Sequence, residues 1–430
     1  MNKDKVELLA PAGDMERLKA AVKFGADAVF MAGDSFGLRA NAKNFDRQAM
    51  IEAVNFAHDN DVRVHITMNI VPHDEDMNGI EDYLKFLDER GVDALIMSDP
   101  GIFSLAKELT NIDLHISTQA SVTNTATVNF WYKMGAKRVI LARELSLEEI
   151  IEIRNNTPKD LEIEVFVHGA MCISYSGRCL LSNYMTGRDA NRGDCAQACR
   201  WKYSIQEENR PGEYYPIEED GSGTYIMNSK DLCLIDELDK LIEAGIDSFK
   251  IEGRMKTEFY VATVIRSYRQ AIDAYYEGNY NKDTIQKYFN EVEKASHRHY
   301  TKGFFNNKPD GDGQIYETSS YIRKYDFIGK VLDYNKDTKE AIIEQRNRFF
   351  LGEEIEIFGN SKDFYEFKID NMRDSKGQDM EVANKAKEKI YMTIDYPLEK
   401  GDLLRRAIIE DNDWYFRNKH NKFKLSLFWV

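Results

Sequence analysis

The chain has 430 residues, enough for a sizeable core in two or three domains, or for one barrel of about 250 residues with an appendage. No stretch approaches the roughly 18 apolar residues of a membrane span, and the apolar run near the N-terminus is too short for a signal peptide, so a cytoplasmic protein with reduced thiols and no membrane partner is expected. The net charge of -15 argues against an extended polyanion-binding surface while leaving room for a local basic patch.

Short apolar runs alternate with amphipathic ones from Val6 to Val167. Strands are expected at Val6–Ala10, Ala28–Met31, Arg63–Thr67, Ala94–Ser98, Leu114–Thr118, Arg138–Ala142 and Glu162–Val167. Helical stretches such as Met15–Phe24, Arg47–His58, Ile80–Arg90 and Leu147–Asn155 lie between them. Strand then helix, repeated, builds parallel strands with crossover helices. FGADAV, RGVDAL, MGAKRV and AGIDSF each end a helix on glycine just before a strand.

The segment Glu164–Trp201, EVFVHGAMCISYSGRCLLSNYMTGRDANRGDCAQACRW, breaks this rhythm. It holds Cys172, Cys179, Cys195 and Cys199, and Cys233 follows after thirty-three intervening residues. Thiolates gathered at one point repel each other and need a cation between them, which zinc or an iron-sulfur cluster supplies. C-x6-C and C-x3-C are not the pairs of a zinc knuckle, and a cluster tolerates such spacing, so the pattern leans toward iron-sulfur with zinc as the alternative. Disulfides or inert buried thiols fit an odd count crowded into one segment poorly.

Two apolar pulses, Tyr225–Met227 and Ser248–Ile251, precede a helix at about Glu258–Tyr276. That makes nine strands for eight places, with Tyr225–Met227 the accessory one. No G-x-G-x-x-G follows a strand, so residues 1–278 are expected to form a (β/α)8 TIM-like barrel with a cysteine-rich insertion spanning residues 164–233. Its chemistry belongs at the strand C-termini, which carry Asn69, Asp99, Gln119, Arg143, Glu144, His168, Asn228, Lys230, Glu252 and Arg254. Residues 279–325 read as a helical connection, and 326–430, with period-two alternation, as a small antiparallel β-barrel domain. The tail mixes Arg405, Arg406, Arg417, Lys419, Lys422 and Lys424 with Trp414, Tyr415, Phe416 and Phe423, which suits either a nucleic-acid surface or an edge strand with a solvated face.

ELLAPAGD, EVFVHGAMCISYSGRCLLS, NRGDCAQACRW, IMNSKDLC and FKIEGRMK together closely resemble the collagenase-like (U-type) peptidase family, and within it the tRNA hydroxylation branch. The resemblance implies a barrel followed by a C-terminal β domain, and prephenate-dependent hydroxylation of the tRNA wobble uridine to 5-hydroxyuridine. It implies tRNA and prephenate as partners, admits a paralogue as a further one, and points to a 4Fe-4S cluster on four cysteines. Carried over by motif, Cys172, Cys179 and Cys195 are ligands; the fourth is Cys233, which matches a late cysteine in NSKDLC, or Cys199, which is closer in sequence.

Prephenate carries two carboxylates, for which Arg143, Arg178 and Arg254 are the best-placed forked donors, unless each is an ion-pair partner. His168, four residues before Cys172, suits a proton shuttle or a hydrogen-bonded strand corner. Glu164 is an inward-facing carboxylate, costly to bury unless used. Arg188, Asn191 and Arg192 suit RNA phosphates or a solvated turn. The alternative activity is proteolysis. Neither H-E-x-x-H nor G-x-S-x-G is present, and four clustered thiols are a poor way to make one nucleophile.

Overall fold

The computed structural model describes residues 5–34, 36–37, 44–172, 174–201, 205–206, 214–215, 229–306, 321–360 and 363–408. The chain divides into two units, Met1–Ile322 and Arg323–Val430.

In the first unit, β1 (Glu7–Pro11), β2 (Ala28–Met31), β3 (Arg63–Met68), β4 (Ala94–Met97), β5 (Asp113–Ile116), β6 (Arg138–Ile140) and β7 (Glu162–Ala170) each pair in parallel with the next. A two-residue ladder of β8 (Ile205–Gln206) and β9 (Tyr214–Tyr215) follows. Then β10 (Asp231–Cys233) runs antiparallel to β7, and β11 (Ser248–Ile251) pairs in parallel with both β7 and β1. The ring closes as an eight-stranded parallel TIM-like barrel. Tyr225–Met227 lies outside the described residues. The accessory strand seen is β10, extended by β12 (Tyr300–Thr301).

Helices cover the strands from outside, as strands buried on both faces require. They are α1 (Met15–Lys23), α2 (Arg47–His58), α3 (Ile80–Glu89), α4 (Pro100–Leu109), α5 (Thr125–Met134) and α6 (Leu147–Asn155), then α7 (Leu181–Thr186) in the cysteine segment, α8 (Leu238–Glu243), α9 (Glu258–Tyr276) and α10 (Lys282–Val292). Side chains fix where they start. Asp14, Asp46 and Asn124 accept from the first turns of α1, α2 and α5, and Ser146 with Glu149 forms a capping box on α6. Asp99, expected among the strand-end site residues, is the N-cap of α4. Most of α9 is buried, and it packs on α1 and α10. Among the described residues, no helix is long and apolar enough to cross a membrane.

The second unit is an antiparallel half-barrel. Its strands are β13 (Tyr325–Asn335), β14 (Glu340–Gln345), β15 (Phe349–Phe350), β16 (Glu354–Phe358), β17 (Tyr365–Lys368), β18 (Val382–Ala383), β19 (Lys389–Thr393) and β20 (Leu403–Ala407). Six of them form one sheet in the order β17-β16-β20-β13-β14-β19, and β15 pairs with β18. Alternate residues such as Ile343, Ile355, Ile390 and Leu404 point into one core. Two of the basic residues weighed for a nucleic-acid surface or a solvated strand face are engaged within the protein instead. Arg405 is fully buried and donates to Glu356 at 2.6 Å, while Arg406 bridges Asp326 and Glu353. The remainder of that tail, Trp414, Tyr415, Phe416, Arg417, Lys419, Lys422, Phe423 and Lys424, lies outside the described residues.

Candidate active site

The C-terminal ends of the barrel strands open into a cavity of about 280 Å³. Phe30, Ile96, Ile140 and Phe166 make its apolar floor. Of the strand-end residues expected there, Asn69, Gln119, Arg143, Glu252 and Arg254 reach it. Glu144 and Lys230 do not line it, and Asn228 lies outside the described residues. Arg143, Arg200, Lys250, Arg254 and Lys256 line the cavity, and Glu252 is the single carboxylate among its described lining residues. A positive well in a chain of net charge -15 selects anions.

Two of these cations are tethered to other strands of the ring. Arg143 donates to the carbonyl of Ala170 at the end of β7 at 2.8 Å, and Arg254 donates to Thr67 Oγ1 on β3 at 3.0 Å. Strands β3 and β7 stand four places apart in an eight-membered ring, so the guanidinium anchors lie on opposite walls. Such spacing suits a small molecule with a carboxylate at either end. Gly13 makes one wall possible, since a Cβ there would sit 2.1 Å from the carbonyl oxygen of Arg254. Gln119 Oε1 is buried with no hydrogen-bond partner among the described residues, an acceptor open to a ligand.

Cys172, Cys179, Cys195 and Cys199 all line the same cavity. Asn191 fixes Cys179 by accepting from its N–H at 3.2 Å and donating to its carbonyl at 3.0 Å. Gln197 adopts a left-handed conformation (φ 57°), and its N–H meets Cys195 Sγ at 3.3 Å. Burial pushes the Cys199 thiol up, Arg200 pulls it back, and the thiols of Cys172, Cys195 and Cys179 push it up again. The sulfurs face one space without forming a closed cage: among the described residues, no three His, Cys, Asp or Glu side chains stand at metal-binding spacing. The donor set itself, four soft sulfurs with no imidazole in the described lining, fits a thiophilic metal group.

Cys233 stands apart. It is buried on β10 opposite His168 of β7, its sulfur 3.8 Å from Tyr268 Oη, and burial pushes its thiol up to about 11. The structure thus brings Cys199, and not Cys233, beside Cys172, Cys179 and Cys195. His168 is likewise away from the cavity lining, enclosed by Tyr260, Tyr268 and Tyr300, with Nδ1 3.3 Å from Tyr268 Oη.

Burial holds His168 down at about 3 against an ordinary 6.5. Between those values the unfolded chain binds a proton that the folded one refuses, so this contribution is complete above pH 6.5 and is lost as pH falls toward 3. His65 and His115 are displaced the same way by burial and by Arg138. Urea midpoints are therefore expected to fall from pH 6.5 to 4, and less steeply in His168→Asn.

Glu164 is itself fully buried, in a charge cluster beneath the floor. It accepts from Lys250 Nζ and Arg138 Nη1, each at 2.8 Å, while Arg138 also meets Glu7 at 2.6 Å and Glu162 at 2.6 Å. Burial alone would raise its carboxyl, but Lys250 and Arg138 overcome that and hold it below the usual range. The cost of an inward carboxylate is met by two cations, so Glu164 is an ionised support for Lys250. That lysine sits 4.5 Å from the Phe30 ring and 5.5 Å from Phe166. Arg192 pairs with Glu75 and Asp76, and Arg188 with Asp194, so the structure spends both within the protein; Arg178 is exposed and outside the cavity lining.

The model for peptidase family U32 matches residues 13–315, and that for the peptidase family U32 C-terminal domain matches residues 323–405. The chain belongs to peptidase family U32. Among its U32 relatives is the tRNA hydroxylation protein P1 of Bacillus subtilis, 41% identical over 94% of this chain and 95% of that protein. The 23S rRNA 5-hydroxycytidine C2501 synthase of Escherichia coli is 35% identical over 79% of this chain but 51% of its own length. A collagenase of Porphyromonas gingivalis is 31% identical over 94% of this chain and 99% of that one.

Among the lining residues of this U32 site that were not singled out in the sequence are Arg200, Lys250, Lys256 and Tyr321. Lys250 had a detectable signal, a charge inside the apolar strand SFKI. Arg200 and Lys256 lie within NRGDCAQACRW and FKIEGRMK, where only the motif as a whole gave a signal, and Tyr321 carries no signal at all.

Proposed function

We propose that this protein hydroxylates RNA, converting the wobble uridine of tRNA to 5-hydroxyuridine with prephenate as hydroxyl donor. A 4Fe-4S cluster would be held by Cys172, Cys179, Cys195 and Cys199, with zinc the alternative occupant. The observation that carries this reading is the meeting of four thiols and five cations in one cavity at the open end of the barrel. The names of two relatives, one acting on tRNA and one on 23S rRNA, support it. When bound, such a cluster supplies one-electron transfer.

The chain's own residues have three tasks. Arg143 and Arg254 clamp the two carboxylates of the donor from opposite walls. Lys250, immobilised by Glu164 and the two phenylalanine faces, presents a fixed positive charge at the floor. The apolar floor excludes water from the reacting carbon.

Proteolysis, the activity named for the Porphyromonas relative, would need an imidazole beside one thiol. No histidine lines the cavity among the described residues, and His168 is held neutral in its tyrosine cage. The test is to incubate anaerobically purified protein with unmodified tRNA and prephenate and to analyse the nucleosides by mass spectrometry. Gain of one oxygen at the wobble uridine, dependent on prephenate, is expected. No gain, together with cleavage of denatured collagen in the presence of chelator, would favour the peptidase.

A further inference from the structure

Tyr321 lines the cavity beside the cysteine segment and is surrounded by cations. Its phenol oxygen accepts from Arg298 Nη2 at 2.9 Å and from Arg200 Nη1 at 3.4 Å. Lys256 Nζ lies 4.1 Å from the ring centroid and the Arg298 guanidinium 4.7 Å. Arg298 is itself buried and held from behind by Asp231 at 3.3 Å. Guanidinium groups only donate, so two of them on one phenol oxygen leave its own hydrogen no acceptor between them, whereas a phenolate accepts both.

We propose that Tyr321 is the proton acceptor of the reaction, a catalytic phenolate that takes the proton from C5 of the pyrimidine as oxygen is bonded there. This rests on the hydroxylation reading above. The atoms and electrons close as follows. The donor's C–O bond breaks as its hydroxyl oxygen bonds to C5. The electron pair of that bond stays on the donor carbon, which takes up a proton from water. The base thus loses two electrons, and the donor, left with C–H in place of C–OH, gains two. The C5–H bond then breaks, its electron pair restores the C5–C6 double bond, and the proton passes to Tyr321 Oη.

The electrostatics agree with this geometry. Burial pushes the phenol up, yet Lys256, Arg298 and Arg200 together draw it below the usual tyrosine range, with Asp231 opposing them. Arg200 directly follows Cys199 in the chain, which places the acceptor on the thiol side of the cavity.

The experiment is carried out on the full chain with its metal, labelled with 13Cζ-tyrosine, the Tyr321 resonance being assigned by its loss in Tyr321→Phe. That resonance is expected to titrate below those of the other tyrosines. Tyr321→Phe should lower kcat by about 10²–10⁴-fold and abolish the acid limb of the pH–rate profile while leaving the KM for tRNA in place. Replacing Tyr321 with the more acidic 3-fluorotyrosine, which retains the fold should the phenylalanine variant lose it, should move that limb to lower pH. A Tyr321 resonance titrating with the exposed tyrosines, or a phenylalanine variant turning over within about twofold of wild type, overturns the proposal. If the protein fails to hydroxylate tRNA at all, the hydroxylation reading falls, and the titration still decides whether Tyr321 is a phenolate.

Discussion

Cys199→Ser should strip iron and acid-labile sulfide from anaerobically purified protein, whereas Cys233→Ser should retain both. The two cysteines were alternatives for one place, and geometry separates them. Cys199 faces the cavity with Cys172, Cys179 and Cys195 and feels their charge. Cys233 points into the layer between β10 and α9, against Tyr268, and burial keeps it a thiol. A ligand has to stand with the others, and Cys233 lies outside the cavity that the other four thiols line. Serine at 199 replaces a soft donor with a hard one and leaves three sulfurs for a group that needs four. Serine at 233 puts a hydroxyl into a buried layer where Tyr268 Oη is its polar neighbour and costs about 1–3 kcal/mol of stability, with iron unchanged. Iron and sulfide assays on the two variants, each checked by thermal melting, separate the outcomes; loss of the cluster in Cys233→Ser alone would restore that residue as the fourth ligand.

Arg138→Met should be the most damaging substitution for the barrel. The guanidinium is 1% exposed and holds Glu7, Glu162 and Glu164 at once. Methionine fills the volume but takes one cationic partner from each of the buried carboxylates Glu7 and Glu164, leaving Arg63 to the first and Lys250 to the second, and removing one partner of such a set costs about 3–5 kcal/mol. The deficit should shrink on acidification. Glu164 is held below 4.5 in the wild type, so its contribution persists at pH 5 and is lost only at lower pH; in the variant the half-paired carboxylates take up protons more readily and lose less by acidification. Adding Glu164→Gln should recover part of the loss, because the pair shares one partner and the effects are not additive. Melting at pH 7.5 and pH 5 measures both; equal melting temperatures for wild type and variant at neutral pH would show that the cluster contributes nothing.

The barrel was legible because its strands are apolar runs spaced by capped helices. Expected and observed boundaries of β2 and β11 coincide, and those of β1, β5 and β7 differ by one to three residues. Helices α4 and α5 were less visible: α4 opens on Pro-Gly, and α5 carries Thr and Asn where stronger helix formers would advertise it. The strand β10 was not anticipated because DLC is three residues long and pairs antiparallel with β7 beside an otherwise parallel barrel.

The site was legible as a cysteine count and a set of strand ends, but not as a geometry. Sequence spacing made Cys199 and Cys233 equivalent, and only their placement on a loop and on an inner strand distinguishes them. His168 looked like a shuttle because it stands four residues from Cys172; its side chain turns to the opposite side, into tyrosines from α9 and β12. Charges inside strands, Arg138 in β6 and Lys250 in β11, were the readable sign of a polar barrel interior. Arg405 shows the converse, a basic residue in an apparently cationic tail that is wholly internal.

The most direct measurement is nucleoside mass spectrometry of tRNA from a strain lacking this protein, complemented with wild type or with Cys172→Ser. Loss of 5-hydroxyuridine derivatives in the deletion, restored by wild type and not by the serine variant, is the expected result. An unchanged modification profile in the deletion, or full restoration by Cys172→Ser, would contradict a thiol-held redox centre at the mouth of this barrel.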